Sequence, residues 1–221
     1  MPAESRLLRI GSEIAAFLLA ATCAGCEEPG SLLCPRCRRE LVPCLQEGRT
    51  PGGLPFRAAL PLQGVGARCV RRLKDEGETH LARPLGAILA TALTSWVTPT
   101  TWIVPVPTAR TAFRRRGYRV PDLLIRRAHE APQAVLSVRP LADQRGLGAR
   151  ARESNVRGTM RARRRGDGAR AVIVDDVVTT GATVDEAARA LEGAGFHVIG
   201  AVALAATPRR GGFGSTSSGT H

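Results

Sequence analysis

The chain has 221 residues, room for one α/β domain and a small appendage. With 43% hydrophobic and 23% charged residues it is too apolar for a disordered protein, and with only 4% aromatics its core must be built from Val, Leu, Ile and Ala. The net charge of +13 favours anions such as nucleotides, pyrophosphate or nucleic acid, although a general arginine bias (Lys74 is the only lysine) would raise the charge without any such partner.

Leu7, Leu8, Ile14, Phe17 and Leu18 recur at near-helical spacing and predict a short amphipathic helix over residues 5–20. The apolar run at 14–22 follows Arg6 and Arg9 and superficially resembles a secretion signal. Glu13 interrupts it, and it is about nine residues long against the roughly 20 that a membrane span requires. The expectation is a cytoplasmic protein with no membrane partner.

Five of the six cysteines lie within the first 44 residues. Cys23-x2-Cys26 and Cys34-x2-Cys37 are two turns that each offer a pair of thiolates to one ion. A closed set of four thiolates suits a structural Zn²⁺ in a reducing compartment. Cys44 and Cys69 fall outside the set. So short a segment has too few apolar residues to fold by itself, and metal binding would supply its stability.

Residues 48–55, rich in Gly and Pro, read as a linker. Residues 56–62 predict a strand, 67–74 and 81–96 helices, and 102–106 a strand stopped by Pro105 and Pro107. An arginine-rich loop is expected at 108–117, a helix at 122–130 and a strand at 135–139. Residues 140–168 form a long polar loop, of the kind that is usually functional or disordered. A strand at 171–174, a helix at 183–194 and a strand at 196–205 complete the order. The organisation predicted is an N-terminal helix with a zinc-binding module over 1–47, an α/β domain over 55–207 and a disordered tail over 208–221. Alternating strands and helices imply a parallel sheet flanked by helices, with ligands at the carboxyl ends of its strands.

Residues 171–183, Ala-Val-Ile-Val-Asp-Asp-Val-Val-Thr-Thr-Gly-Ala-Thr, combine an apolar strand, two acids and a small-residue turn. Asp175 and Asp176 point to opposite sides of the strand, where either can accept hydrogen bonds from vicinal ribose hydroxyls. Thr179, Thr180, Gly181, Ala182 and Thr183 offer hydroxyls and backbone N–H groups to a phosphate. Thr183 reads as a helix N-cap with Glu186 as its capping-box partner, which would bring a helix N-terminus to the anion. The GxGxxG and GxxxxGK[ST] patterns are absent, so a dinucleotide or NTPase site has little support.

The segment resembles the thirteen-residue signature of type I phosphoribosyltransferases. The resemblance implies that Asp175 and Asp176 hold the ribose of phosphoribosyl pyrophosphate. Thr179, Thr180, Gly181, Ala182 and Thr183 would take its 5′-phosphate, Val177 and Val178 belong to the same binding segment, and Mg²⁺ would sit on the pyrophosphate. Further segments are similar to the ComF-type competence family. They are Arg72-Leu73-Lys74 with Leu81–Leu85, Ile103–Pro107 followed by Arg116-Gly117-Tyr118, Asp143-Gln144 with Leu147, and Arg152 with Asn155–Gly158. The family's usual Asn-Gln after Arg-Gly-aromatic is Arg119-Val120 here, and its basic residues before Phe113 are Thr111 and Ala112. These departures lie in the loop expected to hold pyrophosphate and place turnover, more than binding, in question. Arg114 and Arg116 are the residues chosen for the departing pyrophosphate, with Arg152 a weaker candidate, and Asp175, Asp176 and Arg116 form the catalytic set. The resemblance implies a role in DNA uptake and natural transformation, with single-stranded DNA and a DNA-uptake helicase as partners. The alternative is an active phosphoribosyltransferase joining a nucleobase or other acceptor to the sugar. Whether the chain is an enzyme stays open.

Overall fold

The computed structural model describes residues 21–138 and 157–208. The helix expected at 5–20, Arg152 and nearly all of the tail lie outside the described residues, as does most of the middle loop.

After the cysteine turns, α1 (Pro35–Glu40) leads to a hairpin of β1 (Gln46–Arg49) and β2 (Pro55–Pro61). Then come α2 (Gly64–Arg71), a π-helical turn at Arg72–Glu76, a 3₁₀ turn at Thr79–Leu81, and α3 (Ala82–Leu93). β3 (Trp102–Pro105), α4 (Arg110–Arg116) and α5 (Val120–Arg127) follow. A small pair, β4 (Leu136–Val138) and β5 (Met160–Ala162), precedes β6 (Arg170–Val178), α6 (Ala182–Glu192) and β7 (His197–Ala206).

The main sheet has the order β1-β2-β7-β6-β3. Of its four pairings three are parallel, and that of β1 on β2 is antiparallel. Strict alternation along β6 supplies both faces of the sheet. Val172 and Val174 face one core with Val202 and Leu204, covered by α2, α3 and α5. Ala171 and Ile173 face the other with Ala201 and Ala203, covered by α6 and the β4–β5 pair. The expected α/β sheet flanked by helices is therefore present. The cysteine turns join the first core through Cys23, Ala24, Leu33, Cys37 and Leu41.

Four local readings are corrected. Residues 48–55 are the end of β1, the hairpin turn at 50–54 and the start of β2: Thr50 N–H donates to Leu54 O at 2.9 Å, and Gly53 N–H to Thr50 O at 2.9 Å. The arginine-rich segment forms α4, because Gly117 (φ 80°) ends a helix whose last turn holds three arginines beside its negative pole. The polar stretch at 140–168 contains β5, paired antiparallel with β4. Finally, Gly181 and not Thr183 caps α6, and Glu186 serves elsewhere.

Glu186 is buried on the first turns of α6. Its carboxylate accepts Met160 N–H at 2.8 Å and both Nε and Nη2 of Arg189, at 2.7 and 2.8 Å, while Arg189 also reaches Met160 O at 3.2 Å. This network locks β5 onto α6. Burial by itself would raise the Glu186 pKa, but the hydrogen bonds from Arg189, Met160 and Gly158 outweigh it and hold the group at about 2, below its ordinary value of 4.5. A depressed carboxylate stabilises the fold above its unfolded pKa, and that stability is lost as pH falls from 4.5 through about 2. Glu186→Ala should cost about 1–3 kcal/mol at pH 7 in urea denaturation, with the difference shrinking over that acid window. An undiminished difference at pH 2 would contradict this account.

Candidate functional site

β6 runs four residues past the register at which β3 stops, since Pro105 pairs with Val174 and β6 continues to Val178. Asp175 and Asp176 sit in that overhang, at the carboxyl end of the sheet where ligands bind open α/β folds. Both are buried, at 9% and 6% exposure. They belong to the strand and do not follow it, as the sequence reading had them. Asp176 lies on the α2 side, where Lys74 Nζ approaches its carboxylate at 3.0 Å. Asp175 turns its Oδ1 to the Asp176 N–H at 2.8 Å.

Burial, and after it the charge of Asp176, pushes the Asp175 carboxyl well above the carboxylate range; the Asp176 N–H and Lys74 offset this only in part. An unfolded aspartate ionises near about 3.9. The folded carboxyl keeps its proton to higher pH, so this group destabilises the fold increasingly as pH rises above that value.

The loop after β6 exposes Thr179 and Thr180, while Gly181 is buried and Ala182 and Thr183 are half-buried. Gly181 adopts φ 86°, a left-handed conformation that glycine takes without steric cost. It also lies under the β1–β2 turn: a Cβ there would meet Pro51 Cδ and Thr50 Cβ at 3.1 Å. Asp185, one turn into α6, fastens that turn by accepting Gly52 N–H at 2.9 Å and the Thr50 hydroxyl. The loop is thus braced from outside, and Gly181 offers α6 no side-chain cap; at the helix start Ala182 N–H turns to the Thr180 hydroxyl of the loop at 3.4 Å.

On the other side of the acids, the π-helical turn carries three contacts in three successive residues. Leu73 O accepts the Tyr118 hydroxyl, Lys74 meets Asp176, and Asp75 Oδ1 lies 3.3 Å from Nη2 of both Arg115 and Arg116. Arg116 is a half-buried residue with a 9% exposed side chain, and its Nε is buried with no acceptor among the described residues. Arg114 is exposed, on the same helix. Lys74 and Asp75 were absent from the site residues expected from sequence. The available signal was the single lysine in an arginine-dominated chain.

The four cysteines converge. The Sγ atoms of Cys23, Cys26, Cys34 and Cys37 all lie within 4.8 Å of one another. Cys44 and Cys69 are outside the cluster. Cys23 Sγ accepts N–H groups of Gly25 at 3.4 Å and Cys34 at 3.3 Å, and Cys34 Sγ accepts that of Cys37 at 3.4 Å. A Cβ on Gly25 would fall 2.5 Å from Cys37 Sγ, so only glycine admits the fourth thiol. Burial opposes ionisation of Cys23, but N–H donors from Cys34, Gly25 and Cys26 outweigh it and bring the thiol to about 6. Cys37 is pushed upward by burial and by the neighbouring thiols. Four thiols so close ionise together only around a cation, and the set fits a metal ion such as zinc.

The family described as phosphoribosyl transferase domain matches residues 105–215. Over 95 residues, 40% of this chain, the sequence is 41% identical to the DNA utilization protein YhgH of Salmonella typhi and 39% identical to that of Escherichia coli strain K12. The chain spans 42% of the length of these relatives. The adenine phosphoribosyltransferase of Rhodothermus marinus aligns over 77% of this chain and 86% of that chain, at 18% identity and a TM-score of 0.38. Leishmania donovani UMP synthase aligns over 62% and 24%, at 20% identity and a TM-score of 0.38. No helix among the described residues is long and apolar enough to cross a membrane.

Asp175→Asn should make the chain more stable than the parent at pH 7, because it removes a buried group that resists ionisation while keeping an oxygen for the Asp176 N–H. The gain should shrink towards pH 4, and urea denaturation at both pH values measures it; equal or lower stability at pH 7 would refute the assigned strain. The narrower resemblance to ComF-type proteins agrees with the YhgH relatives over the stretch they share. The matched segment is 111 of 221 residues, and the chain belongs to the phosphoribosyl transferase domain family.

Proposed function

We propose that this chain binds phosphoribosyl pyrophosphate at the carboxyl end of β6 and works in the handling of incoming DNA, as a ComF-type protein of natural transformation. The observation that carries the reading is the buried acid pair directly followed by a braced loop that opens a helix. Asp175 and Asp176 accept the ribose hydroxyls. Thr179 to Thr183, continuing the binding segment from Val177 and Val178, take the 5′-phosphate beside the N–H groups at the start of α6. Arg114 and Arg116 hold the pyrophosphate limb. Mg²⁺, when bound with the ligand, supplies charge neutralisation at the pyrophosphate. Zn²⁺ held by Cys23, Cys26, Cys34 and Cys37 is structural, because four thiolates leave no open position.

The +13 net charge and the names of the relatives support a DNA partner, single-stranded where it passes a DNA-uptake helicase in the cytoplasm. A second reading, a transferase that joins a nucleobase or other acceptor to the sugar, is favoured by the complete acid pair and loop. On that reading Arg116, Asp175 and Asp176 are catalytic residues.

Calorimetry with Mg²⁺ and phosphoribosyl pyrophosphate should give saturable binding that Asp175→Ala plus Asp176→Ala abolishes; unchanged binding in that variant rejects the site. Acceptor-dependent release of pyrophosphate would select the transferase reading. Affinity for single-stranded DNA should fall steeply with salt, and an interaction that ignores salt removes the nucleic-acid partner. Chelation should release about one Zn²⁺ per chain and destabilise the N-terminal module. A metal-free chain of undiminished stability rejects the metal.

A further inference from the structure

The π-helical turn at Arg72–Glu76 sits between the two charge groups of the site. Its Lys74 is on the acid and its Asp75 is on the arginines. Single π-turns inside helices are rare and occur often at functional sites. Here the extra residue per turn directs consecutive side chains at opposite charges. The arginine side is incompletely satisfied. Arg116 has a nine-tenths buried side chain, an Nε without an acceptor among the described residues, and a 3.3 Å approach to Asp75, which it shares with Arg115. A guanidinium has five donors, and a single carboxylate oxygen serves it poorly.

We infer that Asp75 occupies the place of a phosphate oxygen at Arg116, so that this residue weakens the hold on the pyrophosphate limb until a ligand displaces it. The inference rests on the proposed reading of the site and assigns it one further residue, which opposes binding. Asp75 is half-exposed and free to swing outward, and its pairs with Arg115 and Arg116 are long. The exposed pair with Arg115 contributes little to stability, and a ligand that takes the place of Asp75 at the buried Arg116 leaves no charge unpaired there, so displacement is cheap. A pyrophosphate limb brings several oxygens and more charge to the same guanidinium, including the donor that Asp75 leaves unserved.

Asp75→Asn should therefore tighten phosphoribosyl pyrophosphate, and inorganic pyrophosphate with Mg²⁺, by about fivefold in calorimetry, the equivalent of about 1 kcal/mol. Ribose 5-phosphate, which lacks the limb, should bind the variant and the parent equally. Glu76→Gln removes the same charge one residue away, where the carboxylate pairs with Arg71 and Arg72. It should leave pyrophosphate affinity within about twofold, since the Glu76 carboxylate is engaged by Arg71 and Arg72 and not by Arg116. Weaker or unchanged binding of both limb-bearing ligands by Asp75→Asn overturns the inference, as does an equal gain for ribose 5-phosphate or for Glu76→Gln. If the parent chain binds none of the three probes, it is the proposed site that fails. Matching thermal unfolding of the parent and Asp75→Asn establishes that the comparison is between folded proteins.

Discussion

The ion pair between Lys74 and Asp176 joins the centre of the sheet to the turn that follows α2. Two adjacent carboxylates buried at the end of a central strand are costly, because neither burial nor mutual repulsion favours their charge. Lys74, within 3.0 Å of Asp176, offsets part of that cost, while burial and the neighbouring charge of Asp176 push the Asp175 carboxyl upward. The strand thus carries two acids near its end, with Val174 and Val178 packed on either side. Lys74 has to arrive from a fixed direction for this to work. The π-turn and its anchors supply that direction: Tyr118 bonds to Leu73 O, and Leu73 is wholly buried.

The same helix that delivers Lys74 also carries the cysteine module. Arg68 donates to Gly25 O, and Arg72 donates to Cys23 O at 3.2 Å and to the Thr22 hydroxyl at 3.2 Å. Arg72 is held in turn by Glu76 and Glu78, at 3.1 and 2.8 Å. Cys23, Cys37 and Cys69 contribute to one continuous core with Leu73, Leu85 and Val174. A metal in the four-thiol cluster would therefore do more than stiffen an appendage. It would fix the backbone carbonyls on which α2 leans, two residues ahead of Lys74.

What could be read from the sequence was the part written in local chemistry. The strand at 171–174, the acid pair, the small-residue loop and the paired cysteines each need particular residue types at fixed spacing, and the structure brings the acids and loop into one place. The misreadings arose where tertiary contacts decide. Gly52, Gly53 and Pro51 look like a linker in isolation, yet Asp185, distant in sequence, pins them over Gly181. Thr183 and Glu186 have capping-box spacing, but Glu186 finds stronger partners in Met160 N–H and Arg189, and Gly181 caps in its place. The segment 108–117 reads as an arginine-rich loop, and Gly117 closes most of it as a helix. Lys74 stands out only as the single lysine and Asp75 has no such mark, because their role consists of contacts with residues about 40 and 100 positions away.

The two ends of the site also differ in how they can hold an anion, and that bears on what the chain does. At the start of α6 the donors are backbone N–H groups, fixed by the fold and aided by the positive pole of the helix. Substitution hardly alters them so long as Gly181 keeps its conformation. At α4 the anion would face the negative pole of a helix, where the backbone offers only carbonyls. Binding there depends wholly on side chains, and Asp75 already competes for the best placed of them. On the proposed reading, the phosphate that anchors a sugar would rest on the robust half of the site, and the pyrophosphate limb on the half that single residues can weaken. A chain under selection to hold the sugar phosphate, without transferring it, could lose the second half by degrees while keeping the first intact. Arg119 and Val120, in place of the family's Asn-Gln, and Thr111 and Ala112, in place of its basic residues, lie in that second half.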